Sequence, residues 1–90
     1  MDYREIRSTL TSKLAATEDR SGNHIYFFLT VDGYDFRVGK LSHSSRGQAP
    51  DYVINDTAQR LKLKKKEFVS LVDCEINKLE HETLWRERDP

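Results

Sequence analysis

Two histidines flank an aromatic-rich stretch of the chain, GNHIYFFLTVDGYDFRVGKLSH, residues 22–43. Imidazole can give or take a proton near neutral pH, which suits it to general acid–base catalysis. Cleavage of RNA by attack of its own 2′-hydroxyl needs a base, an acid and cations that stabilise the charge on phosphorus. His24 and His43 are suited to be the base and the acid, and Arg37 and Arg46 are suited to be the cations. These residue types predict a catalytic centre for RNA cleavage that uses no metal.

The dipeptide Asp32-Gly33 predicts a β-hairpin over residues 25–41. Both flanking segments are rich in β-branched and aromatic residues, and Asp-Gly suits a two-residue type I′ turn. Counting outward from that turn sets the register. The predicted pairs are Val31–Tyr34, Thr30–Asp35, Leu29–Phe36, Phe28–Arg37, Phe27–Val38, Tyr26–Gly39, Ile25–Lys40 and His24–Leu41. The face that carries the odd-numbered residues of the first strand is predicted to be the core face.

The opposite face of this hairpin is the predicted site. The register places His24 on it, and side-chain alternation places His43 there as a diagonal neighbour if the strand continues that far. The residues predicted to bind nucleic acid around this site are Tyr26, Arg37, Lys40, Ser42, Ser44 and Arg46. Rings and arginine on a sheet face also suit RNA binding without catalysis, and Tyr26 could instead cover Gly39 across the strand pair.

Apolar residues at helical spacing predict helices on the core side of the hairpin. The stripe Tyr3, Ile6, Leu10 and Leu14 predicts a helix over 2–14, and later stripes predict helices at about 51–61, 64–74 and 78–86. The polar segment 15–22 is compatible with a short edge strand or with a loop. The chain, residues 1–90, is therefore predicted to be a single α+β domain with helices packed on one face of a small antiparallel sheet.

Composition is that of a soluble globular domain. The chain has 90 residues, 37% hydrophobic and 33% charged, with a net charge of zero. We expect a cytoplasmic protein, because there is neither an apolar run of the ~18 residues that span a bilayer nor an apolar N-terminal leader. Residues 20–66 hold nine basic and four acidic residues, a net charge of +5. This excess suits phosphate binding or a plain solvated surface.

The single cysteine and the third histidine predict no further chemistry. Cys74 has no second cysteine to pair with and is expected to be a buried or half-buried packing residue. His81, within a charged helix, is expected at the surface. Because the three histidines are scattered and lack a clustered carboxylate, we expect neither a metal nor another cofactor.

A second interpretation comes from the segment DTAQRLKLKKKEFVSL, residues 56–71. Its apolar residues follow the spacing of a helix-turn-helix, and Lys64, Lys65 and Lys66 begin the would-be recognition helix. Lys62 occupies the turn position that often prefers glycine. This pattern predicts binding to duplex DNA, and a non-catalytic protein-interaction module is the third alternative.

Several short motifs occur in an order that resembles the HicA-type messenger-RNA interferase toxins, over about residues 22–72. In chain order they are Gly22-Asn23-His24, an aromatic strand, Asp32-Gly33, a second strand, Leu41-Ser42-His43 and Leu61-x-Leu63-x(4)-Phe68. The resemblance implies a double-stranded-RNA-binding-domain-like α-β-β-β-α fold, endoribonuclease activity and an antitoxin or other protein partner. The family's catalytic histidine lies in a Gly-Ser-His element, so His24 takes that role here, with Asn23 replacing serine. His43 matches only loosely, and the acidic C-terminal helix is an addition.

Overall fold

Helix α1 (Tyr3–Ser8) begins at a reciprocal cap in the computed structural model, which describes residues 1–88. The Asp2 carboxylate accepts a hydrogen bond from the Glu5 amide at 2.8 Å, and the Glu5 carboxylate accepts one from the Asp2 amide at 3.1 Å. Such a capping box satisfies amides that have no partner within the helix. The helix continues into a π-helical turn (Thr9–Lys13), which ends close to the predicted boundary at residue 14.

Three antiparallel strands follow in the order β1 (Thr17–Ser21), β2 (His24–Val31) and β3 (Tyr34–Ser42). The polar segment after the first helix therefore contains an edge strand. At the β2–β3 turn Asp32 and Gly33 have φ angles of +53° and +84°. Positive φ at both positions is the type I′ requirement that an Asp-Gly dipeptide meets with little strain.

A β-bulge at Val38 changes the register of the hairpin. The four predicted pairs nearest the turn are confirmed, up to Phe28 with Arg37. Beyond them Phe27 pairs with Gly39, so Val38 is the extra residue, and the four outer predicted pairs are wrong. The observed outer pairs are Phe27–Gly39, Tyr26–Lys40, Ile25–Leu41 and His24–Ser42.

Helix packing accounts for the position of this bulge. Val38 is fully buried, and a Cβ atom on Gly39 would lie 2.9 Å from Leu10 Cδ1 and 3.3 Å from Phe27 Cδ2. Both consecutive residues thus lie against the core, which a regular strand does not allow because its side chains alternate. The bulge also turns Leu41 inward and Lys40 outward, so Lys40 is not on the core face as predicted.

Three helices complete the chain: α2 (Asp51–Arg60), α3 (Lys65–Val72) and α4 (Lys78–Glu87). Their buried residues join those of α1 and the inner face of the sheet in one core, which includes Phe27, Phe68 and Trp85. The predicted α+β class, with helices on one face of an antiparallel sheet, is confirmed. Within residues 1–88 no helix combines the length and apolar character needed to cross a membrane.

The expected environments of His81 and Cys74 are wrong. His81 is only 1% exposed, and its Nε2 donates a hydrogen bond to the Leu61 carbonyl at 3.0 Å. It lies one helical turn before Trp85, on the face of α4 that packs on the core, and it satisfies a carbonyl at the end of α2. Cys74 is exposed, in the connection between α3 and α4.

Candidate nucleic-acid interface

The face of the sheet turned away from the helices is here called the open face. Strand pairing places on it Thr17, Asp19 and Ser21 of β1, His24, Tyr26, Phe28 and Thr30 of β2, and Asp35, Arg37, Lys40 and Ser42 of β3. The buried residues of the helices all pack on the other face. The open face is therefore available to a ligand.

Tyr26 is the centre of the open face. Arg37 Cζ lies 5.6 Å and Lys40 Nζ 5.9 Å from the centroid of its ring. The His24 ring lies 6.1 Å away, tilted by 47°. Cations at such distances are attracted to the electron-rich face of an aromatic ring. An aromatic ring with two cations beside it has the chemistry needed to stack on a base and hold the neighbouring phosphates.

The bulge decides which residues join Tyr26. The predicted pairing would have put Gly39 opposite Tyr26, but Lys40 lies there. Gly39 is covered on the core side by Leu10 and Phe27, so Tyr26 does not cover it. The local irregularity therefore adds a cation to the open face.

Acidic groups border the cationic region on the β1 side and toward the β2–β3 turn. Asp19 lies opposite Tyr26 on the edge strand β1. Asp35, near the turn, accepts a hydrogen bond from the Thr30 hydroxyl. The positive charge is thus concentrated between Tyr26 and β3, where a phosphate would be held most favourably.

The two histidines leave the sheet on opposite sides, so their predicted placement on one face is wrong. His24 pairs with Ser42 on the open face. His43 comes next in the chain, and although its amide donates to the Asn23 carbonyl at 3.2 Å, its side chain lies with Ile25 and Leu41 on the helix side. The two residues are neighbours across the strand pair, and side-chain alternation directs them to opposite faces.

His43 instead belongs to a concave surface on the helix side, here called the helix-side groove. It has a volume of about 570 Å³. Its lining residues are Asp2, Tyr3, Arg4, Arg7, Ile25, Leu41, Ser42, His43, Ser45, Arg46 and Gly47. Of the predicted binding residues, Arg46 lies here rather than beside Tyr26. The Ser44 hydroxyl lies 2.7 Å from that of Ser42, at the end of β3.

The predicted lysine cluster lies in the helical layer. Lys64, Lys65 and Lys66 are exposed where α3 begins, and Lys65 forms an ion pair with Asp51 at 3.2 Å. Lys62 in the preceding turn has a φ of +61°, and its Nζ lies 4.2 Å from the centroid of the Trp85 ring. The structure does not bring these lysines together with Tyr26.

The sequence patterns do not identify three charged residues of these surfaces, Arg4, Arg7 and Asp19. The two arginines lie on α1, away from its apolar stripe, and only the packing of the loop after β3 brings Arg46 near them. The turn that contains Gly22 is a sequence signal for a hairpin of β1 and β2. Pairing these two strands from the sequence would place Asp19 on the open face.

No family model, curated protein or solved structure matches this chain in the three comparisons made. Among residues 1–88, no group of three or more potential metal ligands lies together. Functional inference therefore depends on the geometry of the two surfaces.

Proposed function

We propose that this protein binds single-stranded RNA on its open face. Tyr26 stacks on a base, and Arg37 and Lys40 contact the phosphates on either side of that base. The observation that carries the proposal is the half-exposed Tyr26 ring with two cations within 6 Å of its centroid, on the face opposite the one that packs against the helices.

A single strand fits this surface better than a duplex. Bases within a duplex are already stacked on one another, whereas the bases of a single strand can leave the stack and lie on a protein ring. His24 and Phe28 flank Tyr26 along β2 and offer places for neighbouring bases. A sheet with a row of rings along its central strand is a common platform for this kind of recognition.

We further propose that the protein cleaves the bound RNA and is a member of the HicA-type toxins. The element order α1, β1, β2, β3, α2 is the order that the family resemblance implies. His24 would take the proton of the attacking 2′-hydroxyl, water would protonate the leaving 5′-oxygen, and Arg37 and Lys40 would be the cations, because the register directs His43 away from this face. An antitoxin covering the open face would be the corresponding partner.

The test of binding is the fluorescence anisotropy of a labelled 12-nucleotide oligouridine. Because stacking on a ring contributes about 1–3 kcal/mol per base, Tyr26→Ala should weaken binding roughly 5- to 150-fold. Tyr26→Phe keeps the ring and should bind nearly as well. Tyr52→Ala removes an equally large ring that is 73% exposed on α2, and it should have no effect. Equal affinities for Tyr26→Ala and the wild type would refute the proposal.

Cleavage is measured on the same RNA by gel electrophoresis in the presence of a chelator. If the protein is a nuclease, His24→Ala should abolish the products and His43→Ala should leave them. Binding without products in the wild type would leave RNA recognition as the function and remove the ribonuclease proposal.

Duplex-DNA binding is the second candidate, favoured by the three adjacent exposed lysines that begin α3. In that case Lys65→Ala and Lys66→Ala should weaken binding to a DNA duplex, and Tyr26→Ala should not. Measuring all three variants on duplex DNA and on oligouridine separates the two surfaces.

A further inference from the structure

We propose that the helix-side groove is a binding site for a phosphate monoester, separate from the open face. The groove lies between the beginning of α1 and the loop that follows β3. Three arginines line it, Arg4, Arg7 and Arg46, together with His43. Guanidinium groups present paired N–H donors that match the oxygens of a phosphate.

The positive charge of the groove is only partly compensated, because three arginines line it and two carboxylates, those of Asp2 and Glu18, lie in it or pair with it. Within residues 1–88 neither Arg4 nor Arg46 forms an ion pair with a carboxylate. Asp2 is the acidic residue of the lining, and its carboxylate already accepts the Glu5 amide at the start of α1. Because Arg4 and Arg46 have no carboxylate partner of their own in the described part of the chain, the groove keeps an excess of positive charge that favours the binding of an anion.

Arg7 is held in place by a carboxylate outside the groove lining. Its Nε and Nη2 donate to the two Glu18 oxygens at 2.7 and 3.0 Å. A guanidinium has five N–H donors, so this bidentate contact leaves three of them for a ligand. Glu18 therefore orients Arg7 and also removes part of its charge, which makes Arg4 and Arg46 the main electrostatic contributors.

Backbone contacts hold the two walls of the groove together. The Tyr3 amide donates to the Gly47 carbonyl and the Ala49 amide to the Met1 carbonyl, both at 3.0 Å. On the β3 side the Ser42 amide donates to the Ser45 hydroxyl at 3.1 Å. These contacts fix the position of Arg46 relative to α1 before any ligand binds, which lowers the entropy lost on binding.

The size and chemistry of the groove favour a terminal phosphate with its attached group. A monoester carries up to two negative charges and three free oxygens, whereas a phosphate inside an RNA strand carries one charge. A volume of about 570 Å³ is within the usual range for small-molecule sites, and it exceeds the need of an inorganic ion alone. Ile25 and Leu41 supply an apolar wall for the rest of the ligand.

The first test uses inorganic phosphate as the probe, followed by amide chemical shifts in two-dimensional NMR spectra. We expect saturable shifts at Ser45, Arg46 and Gly47. Because each arginine contributes a charge-assisted contact at a partly exposed site, Arg46→Gln and Arg4→Gln should each weaken binding on the order of tenfold. Lys78→Gln removes an exposed charge on α4 and should bind phosphate as the wild type does.

Two arginine variants are used because one of them could misfold. A single variant whose spectrum matches the wild type outside the groove is sufficient to test the site. Shifts that grow linearly without saturation, or saturable shifts that persist in both variants, would overturn the proposal. So would shifts confined to other basic surfaces, such as the beginning of α3.

A second measurement identifies the source of the phosphate. Oligouridine with a 5′-phosphate is compared with the 5′-hydroxyl form, in the wild type, Tyr26→Ala and Arg46→Gln. A preference for the 5′-phosphate that Arg46→Gln abolishes and Tyr26→Ala retains would assign the groove to an RNA end. Saturable phosphate binding without that preference would assign it to a small phosphorylated molecule. If the open face is not the RNA-binding site, the 5′-hydroxyl RNA should bind Tyr26→Ala as tightly as it binds the wild type.

Discussion

Lys40 lies directly opposite Tyr26 across the β2–β3 pair, with its ammonium nitrogen 5.9 Å from the centroid of the tyrosine ring. Arg37 approaches the same ring, at 5.6 Å. This arrangement places one aromatic ring beside two positive charges. In the proposed RNA complex the ring would contact the bases and the two cations the backbone, and each contribution can be removed separately.

Removal of the Lys40 charge should change the salt dependence of RNA binding. Because each phosphate contact releases about one counter-ion, Lys40→Gln should lower the slope of log affinity against log salt concentration by about 0.7–1. The measurement is fluorescence anisotropy at several salt concentrations between roughly 50 and 200 mM. Lys78→Gln on α4 is the matched control, and an equal change in both variants would show that the effect is non-specific.

Removal of the Asp19 charge should tighten RNA binding. Asp19 lies opposite Tyr26 on β1, where its carboxylate repels a phosphate held near the ring. Since exposed charges a few ångströms apart interact by about 1 kcal/mol or less, Asp19→Asn should raise affinity by up to about fivefold at low salt. Asp35→Asn, near the turn and hydrogen-bonded to Thr30, should have a smaller effect. Unchanged or weaker binding by Asp19→Asn would contradict the placement of RNA beside Tyr26.

Introduction of a side chain at Gly39 should destabilise the fold. The new methyl group would lie 2.9 Å from Leu10 Cδ1, and because Leu10 is fully buried, a shift of its side chain would disturb its neighbours in the closely packed core. Overpacking of this kind costs about 1–3 kcal/mol, so Gly39→Ala should lower the free energy of unfolding by that amount. Urea denaturation measures it. Lys40→Ala, the next residue of β3 and exposed, should change the free energy of unfolding by about 0.5 kcal/mol or less.

The buried His81 should make stability depend on pH. Burial lowers the pKa of His81 below its ordinary value, although the hydrogen bond to Leu61 and the charge of Glu82 act in the opposite direction. The unfolded chain therefore takes up the proton first as the pH falls. Stability from this residue is complete above about pH 6.5 and is lost as the pH falls from there through the folded-state pKa.

Urea denaturation at about pH 7.5 and about pH 5.5 measures this dependence. These values lie about one unit above and below the ordinary histidine pKa. His81→Gln keeps a hydrogen-bond donor but does not titrate, so its stability should fall less than that of the wild type over this interval. The same loss in both proteins would indicate that other groups cause it.

The ion pair between Glu67 and Arg88 should contribute stability that disappears in acid. Arg88 donates to both Glu67 oxygens at 2.7 and 2.8 Å and to the Lys62 carbonyl at 2.8 Å. First the bonds from Arg88, and then the one from the Lys64 amide, lower the pKa of Glu67 to about 2. The stabilisation is therefore present above the ordinary glutamate pKa and is lost as the pH falls through about 2.

Because the Glu67 side chain is 24% exposed, water screens this pair, and Glu67→Gln should cost only about 1 kcal/mol at pH 7. The difference from the wild type should shrink as the pH is lowered toward 2 in thermal unfolding experiments. Glu82→Gln, which loses a looser contact of 3.9 Å with Arg86, should cost less at either pH. A difference for Glu67→Gln that stays constant down to pH 2 would contradict this assignment.

Local sequence was sufficient for the fold class and for half of the hairpin register. The Asp32-Gly33 turn, the alternation along β2 and the apolar stripe of α1 each depend on neighbours within a few residues. Such signals can be read without knowing the fold. They placed Tyr26, Phe28 and Arg37 on the open face, and the structure agrees.

Only the tertiary structure decided where that register changes and which charged groups meet. The bulge at Val38 depends on how closely Leu10 approaches Gly39, and these residues lie 29 positions apart in the chain. One extra residue reverses the side-chain alternation beyond it, which brings Lys40 to Tyr26 and sends His43 to the other side of the sheet. The burial of His81 and the placement of Arg4 and Arg46 along one groove likewise follow from the packing of distant segments, because no local pattern specifies which surfaces come together.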